Sequence, residues 1–284
     1  MSNSTLSTFT SRDGDNLALQ EWPLADEAPQ RGAVVLVHGL GEHAGRYEHV
    51  AEWLNAQGFW VRAYDQYGHG ESSGPRGGLP ADDRLLVDLG DVVESTRLRL
   101  PAGLPLIVLG HSMGGLVAAR FVSLNPTMAD GLVLSSPALD PGLNAVQKLL
   151  LAVVPRIAPN LLVGNGLNAD FISHSPATVK AYRADPLVHD RISGRLAKFI
   201  ADTGPLVLID APHWKVPTLL MYAGGDQLVN PAGSRAFAAA APPEVVSATC
   251  FEALYHEIFN EPAADAATVF GCLQSWLDAH FPAP

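Results

Sequence analysis

Apolar residues follow two rhythms along this chain, and the rhythms alternate. Short unbroken runs, such as Ala33-Val34-Val35-Leu36-Val37 and Leu106-Ile107-Val108-Leu109, predict strands covered on both faces, because a fully buried strand has no polar side to show. Phe59 to Tyr64, Gly131 to Leu134, Pro217 to Tyr222 and Val245 to Phe251 read the same way. Helical spacings lie between them. Tyr47 to Gln57 repeats with helical period and stops at Gly58. Leu85 to Leu100 puts Leu85, Leu89, Val92, Val93 and Thr96 on one face, with Pro101 beyond its end. Leu116 to Leu124, the alanine-rich Ala232 to Ala240, and Pro262 to His280 complete the helices, the last with Pro262 near its first turn. An N-terminal hairpin comes first: Leu6 to Thr10 and Leu17 to Trp22 flank Arg12-Asp13-Gly14-Asp15, and Asp-Gly is a strong turn signal. Strands alternating with helices predict an α/β fold, a doubly wound and mostly parallel sheet with helices on both faces. Sites in such sheets lie outside the carboxyl ends of the strands.

One region breaks the rhythm. Residues 137–212 carry Pro141, Pro155, Pro159, Pro176, Pro186 and Pro205 without clean alternation, and they fall between two core strands. The expected organisation is therefore a core of residues 1–136 and 213–284 with an inserted cap, or lid, at 137–212 over the sheet's carboxyl edge. Within the insert, Leu143, Val146, Leu149, Leu150, Val153, Val154 and Ile157 form a broad apolar face, and only Lys148 and Arg156 are charged. Such a face either packs down on the core or greets an acyl chain, and one helix can do both.

Composition narrows the function classes. The 284 residues are 48% hydrophobic, ample for one large core, and no linker or internal repeat divides them. The formal net charge is −11 and no basic cluster occurs, which argues against a nucleic-acid partner. No apolar run has the length of a membrane span. The start, Met1-Ser2-Asn3-Ser4-Thr5-Leu6, lacks the basic and apolar regions of a signal peptide, so the expected location is cytoplasmic, with peripheral membrane contact through the cap left open. Cys250 and Cys272 read as free thiols rather than a metal site, and no cofactor is called for.

The chemistry centres on Gly110-His111-Ser112-Met113-Gly114, at the turn between a strand and a helix. So sharp a turn strains the serine backbone, and side chains two positions to either side would collide, hence the glycines. The strain aims the Ser112 hydroxyl out of the sheet at the positive end of the next helix. A serine hydroxyl is a weak nucleophile near neutral pH and needs a base, which needs an orienting acid. On this kind of turn the chain order is serine, acid, histidine. Asp226 follows the strand Thr218-Leu219-Leu220-Met221-Tyr222 through Ala223-Gly224-Gly225, and His256 follows the strand ending at Phe251. Competing acids, Asp185, Asp190, Asp202 and Asp210, lie in the insert or its return. Among ten histidines, His43 and His49 come before the serine, while His174, His189 and His213 lie in or at the edge of the insert. The His111 side chain is expected to point away from the nucleophile. The oxyanion donors expected are the backbone N–H of Met113 and that of Leu40 in the glycine-flanked loop His38-Gly39-Leu40-Gly41-Glu42-His43.

With these residues in hand, the chain resembles the α/β-hydrolase superfamily, and more closely its monoacylglycerol lipase and lysophospholipase-like serine hydrolases. The matching stretches are His38 to Tyr47, Asp65-Gln66-Tyr67-Gly68-His69-Gly70-Glu71-Ser72, Gly110 to Gly115, Gly224-Gly225-Asp226 and Tyr255-His256-Glu257. The resemblance implies an α/β-hydrolase fold, a cap after the sixth strand with an acyl tunnel beneath it, and cleavage of a small-molecule lipid ester with a polar alcohol. It also implies polar groups near the Leu40 loop for the glycerol end. Glu42 and Arg46 match that loop as substrate-binding residues, or they pair with each other and shape it. Asp65 and His69 match a motif that braces the loop after its strand. A lysophospholipase, a short-chain carboxylesterase and a non-catalytic binder on the same scaffold are the alternatives.

Overall fold

The computed structural model describes residues 4–25, 29–142 and 144–283. Strands β1 (Thr5–Thr10) and β2 (Asn16–Trp22) form the antiparallel hairpin. Then follow β3 (Gly32–Val37), α1 (Glu48–Ala56), β4 (Phe59–Tyr64), α2 (Arg84–Arg99), β5 (Leu106–His111), α3 (Met113–Leu124) and β6 (Gly131–Ser135). The insert contributes α4 (Ala145–Ile157), β7 (Leu162–Gly164), α5 (Pro176–Ala184), β8 (Arg191–Ser193) and α6 (Gly194–Asp210). The chain closes with β9 (Thr218–Ala223), α7 (Pro231–Ala240), β10 (Val246–Phe251) and α8 (Ala263–His280).

Eight strands make one sheet in the order β1-β2-β4-β3-β5-β6-β9-β10, and from β4 onward every pairing is parallel. Side chains alternate across it. Val35, Val37 and Val108 pack with α2 and α3, whereas Val34, Leu36, Ile107 and Leu109 pack with α1 and α8. That double burial is why these strands read as continuous apolar runs. The predicted α2 stripe, Leu85, Leu89, Val92, Val93 and Thr96, is wholly buried.

Register sets the active rim. Val37 pairs with Gly110, His111 with Ser135, Ser135 with Met221, and Phe251 with Ala223. The loops that begin at His38, Ser112, Ser136, Gly224 and Glu252 therefore leave the sheet along one edge.

The insert is more regular than its prolines suggest. Its α6 runs seventeen residues with Pro205 inside, and Leu196, Phe199, Ile200 and Val207 join the same core as α2 and α3. Gly204 makes this docking feasible, since a Cβ there would stand 2.2 Å from the Leu139 carbonyl oxygen. Strand β8 and the residues leading into it are stitched to core loops by His189 N–H to Gly41 O (2.9 Å) and Ser193 N–H to Gly77 O (2.8 Å). On α4, Val153 and Ile157 are exposed and Val154 is half-buried. Leu143 lies outside the described residues, as do the side chains of Val146, Leu149 and Leu150.

Candidate active site

Ser112 sits at φ 53°, ψ −120°, a conformation that L-residues rarely adopt. Its peptide is held from three sides: its N–H donates to Ser135 O, and its carbonyl accepts from Leu116 and Ala138 N–H, each at 3.0 Å. The glycines are obligatory, because a Cβ on Gly110 would lie 2.4 Å from Gly114 O and one on Gly114 would lie 2.2 Å from Val37 O. The turn thus stores strain and presents Ser112 at the N-terminus of α3.

Asp226 and His256 meet although thirty residues separate them, with Nδ1 of His256 2.6 Å from Asp226 Oδ2. Both side chains are almost completely buried. The other carboxylate oxygen accepts the N–H groups of Leu228 (2.8 Å) and Val229 (3.1 Å), which fixes the acid's rotamer. Burial works against the charge on each partner, and the pairing outweighs it. Asp226 is held below the usual carboxylate range by His256 and the two amides. His256 is raised above ordinary histidine by Asp226, with help from Glu257 and Glu42. Nδ1–H is committed to the carboxylate, so Nε2 is the nitrogen that takes a proton. Among the described contacts no hydrogen bond joins the Ser112 hydroxyl to His256. The competing acids are engaged elsewhere: Asp185 with His43 at 2.9 Å, Asp210 with Arg120 at 2.7 Å, Asp190 with Arg191 at 3.3 Å, and Asp202 with Lys198.

Leu40 and Met113 flank Ser112 on a cavity of about 350 Å³. Met113 is the first residue of α3, where helix N–H groups have no partner within the helix. The Leu40 loop comes close: a Cβ on Gly39 would be 3.2 Å from Ser112 Cβ. The cavity is walled by α4, β7, β8, α6 and the loop after Asp226, and its lining carries Gln147 and Asn165 and, among the described residues, no charged side chain. From α4 the wall residues among those described are Gln147 and Leu151, both off the stripe picked out by periodicity.

Of the two readings of Glu42 and Arg46, head-group contact or a pair that shapes the loop, the contacts fit the second, for both side chains turn into the protein. Glu42 accepts from Gly39 N–H and from the Tyr47 hydroxyl, both at 2.6 Å, and from Arg46. Arg46 grips both oxygens of Glu257 at 2.7 Å, and neither residue lines the cavity. Burial raises the Glu42 carboxyl, yet Arg46 and the neighbouring groups bring it down to about 2, so it is a permanent anion. Held by these contacts, the pair shapes the loop and ties it to the residue after His256. Asp65 braces the loop after its own strand by accepting from Glu71 N–H at 2.8 Å, and it also holds the Glu42 loop by accepting from Ala44 N–H at 2.8 Å.

Sequence reasoning missed His111. Its ring does leave the Ser112 side of the strand, but it lands against His256, with centroids 4.7 Å apart and Nδ1 3.1 Å from Ser135 Oγ. Burial, with the His256 charge, pushes it down to about 3, so it stays neutral beside His256. Strand alternation was the available signal; what lies on the far face was not in the local pattern.

A parallel sheet of this order, with a strained serine turn at its rim, defines an α/β-hydrolase. The chain matches the family model described as "Serine aminopeptidase, S33" over residues 28–263, and it belongs to that family. It is 35% identical over 276 residues to a monoacylglycerol lipase of Mycolicibacterium smegmatis, covering 96% of each chain. It is 31% identical over 252 residues to phospholipase YtpA of Bacillus subtilis, covering 87% of this chain and 95% of that one. Among solved structures it resembles the monoacylglycerol lipase of Paleococcus ferrophilus, with a TM-score of 0.84, 36% identity, and 93% and 99% coverage.

Proposed function

We propose that this chain is a serine ester hydrolase that cleaves monoacylglycerols, or similar single-chain lipid esters, to fatty acid and glycerol. The observation that carries the reading is the buried 2.6 Å His256–Asp226 pair on the same rim as strained Ser112, which opens on a cavity lined mainly by apolar side chains. Ser112 Oγ attacks the acyl carbonyl as His256 Nε2 takes its proton. The developing oxyanion is held by the Leu40 and Met113 amides. The imidazolium, steadied by Asp226, returns the proton to the departing alcohol oxygen. Water then repeats the sequence on the acyl-enzyme, releasing the acid and restoring Ser112. Glu42 and Arg46 serve by shaping the oxyanion loop.

Among the described residues no carboxylate lines the cavity, which separates this reading from peptide cleavage at a free amino terminus, where the ammonium group needs one. The lining suits an acyl chain, as do the lipase relatives. Residues 137–212 act as the cap, with α6 as its root in the core. Val153, Ile157, Leu161 and Val163 are exposed within one short stretch of that cap, and we assign to it peripheral contact with a lipid surface. No helix among the described residues is long and apolar enough to cross a membrane. The free thiols Cys250 and Cys272 suit a reduced, cytoplasmic setting. The phospholipase relative supports a second reading, hydrolysis of lysophospholipids by the same residues.

Labelling with a fluorophosphonate probe tests the nucleophile. An adduct on Ser112 is expected, and Ser112→Ala loses on the order of a million-fold in kcat with the fold intact. No adduct would turn the reading to a binding protein. A panel of monoacylglycerols, lysolipids and p-nitrophenyl esters then decides between the substrate classes.

A further inference from the structure

We infer that Glu261 is a positioning residue for the base, tying the His256 loop to cap residues 172–174. The inference rests on His256 being the base. Glu261 is fully buried at the side chain and collects four donors. Its Oε1 accepts from Tyr255 N–H at 2.6 Å and from His174 Nδ1 at 2.9 Å. Its Oε2 accepts from His174 N–H at 2.7 Å, and Ser173 Oγ, 3.1 Å away, shares its one hydrogen between this oxygen and Asn260 O. A carboxylate has about four lone-pair sites, and here all of them face protein donors.

The geometry brackets the base. The peptide N–H before His256 belongs to Tyr255 and ends on Glu261. The one after it belongs to Glu257 and ends on Ile172 O at 2.8 Å. Both tethers reach the same short cap segment. Asn260 O adds to the joint by accepting from Ser173 Oγ at 2.8 Å and Thr178 Oγ1 at 3.0 Å. The His174 ring stacks on Tyr255 with centroids 3.6 Å apart. Asp226 holds the imidazole by one nitrogen only; the backbone that carries the ring is held by this cluster. The position of the cap segment and that of the base are therefore one mechanical variable.

Glu261→Gln keeps the volume but turns one acceptor oxygen into an NH₂ facing two donors. The expected result is a kcat about 100-fold lower, as for a displacement of about 1 Å at a reacting group. KM stays within about twofold, because the cavity wall is untouched. Fluorophosphonate labelling of Ser112 slows by the same factor as kcat. A well-folded Glu261→Gln protein, judged by its melting curve, with wild-type kcat and labelling rate overturns the inference. Should that variant fail to fold, Ser173→Ala/His174→Ala removes the cap side of the cluster and leaves Tyr255 N–H on Glu261. The expected kcat loss is then about tenfold, the equivalent of one hydrogen bond, at unchanged KM. No loss overturns the coupling. Wild-type labelling reports separately on the nucleophile: if the wild type labels Ser112 and the variants label equally fast, only the positioning role falls.

Discussion

Asp226→Asn isolates the orientation of the base. The acid's Oδ1 accepts two backbone N–H groups, from Leu228 and Val229, and its Oδ2 accepts from His256. An asparagine carbonyl can occupy only one of these positions. Two fixed peptide donors outbid one mobile imidazole, so the carbonyl oxygen stays with Leu228 and Val229. The amide NH₂ then points at His256 Nδ1, where a donor faces a donor. Nδ1 must give up its hydrogen and accept from the amide instead. The proton moves to Nε2, the nitrogen that has to receive the Ser112 proton, and the base is blocked. The anion that raises His256 disappears with the same change. The expected loss is about four orders of magnitude in kcat, or about 5 kcal/mol of barrier. KM should change little, since Asp226 does not line the cavity. Steady-state turnover of a p-nitrophenyl ester, with fluorophosphonate labelling alongside, measures it. The melting temperature should stay close to wild type, because Asn keeps the hydrogen bonds to the loop. A loss below tenfold in a folded variant would refute the reasoning and mean that another carboxylate orients the base.

Three further outcomes are expected. His256 must be neutral to accept a proton, and its pKa is raised above 6.5; kcat/KM should therefore rise with pH through an acid limb centred above 6.5, and Glu257→Gln should move that limb down. A midpoint at or below ordinary histidine would contradict the assignment. Gly39→Ala puts a Cβ 2.8 Å from Glu42 Oε1 and 3.2 Å from Ser112 Cβ, so the oxyanion loop must shift. A kcat loss of about 100-fold with an unchanged far-UV spectrum is expected, and wild-type turnover would show that the loop does not hold the oxyanion. Ile157→Glu, at a side chain 77% exposed on the cap, should weaken liposome flotation and leave turnover of a water-soluble ester unchanged. Equal flotation would remove the cap as the lipid-facing surface.

Local chemistry already carries much of this molecule. A strained serine turn requires Gly110 and Gly114 within two residues of Ser112, and strands buried on both faces require unbroken apolar runs. Both demands act over a few positions, so they are written in contiguous residues. The places of Asp226 and His256 follow because each comes just after a strand of a parallel sheet, and topology brings strand ends to one rim. Other features depend on groups far apart in the chain. Glu42 and Arg46 stand four residues apart and read as a pair, but Glu257, 211 residues beyond Arg46, decides that they face inward. His111 meets His256 only once the sheet has brought the end of β5 and the loop after β10 to one rim. Leu151 faces the cavity because the docking of α4 sets the helix's rotation. Pro205 hid α6, whose membership of the core comes from packing on α3 rather than from its own propensity. Period and turn chemistry are short-range and survive in a string of letters. Partner choice and helix rotation are settled by packing, where the neighbour is supplied by a distant stretch of the same chain.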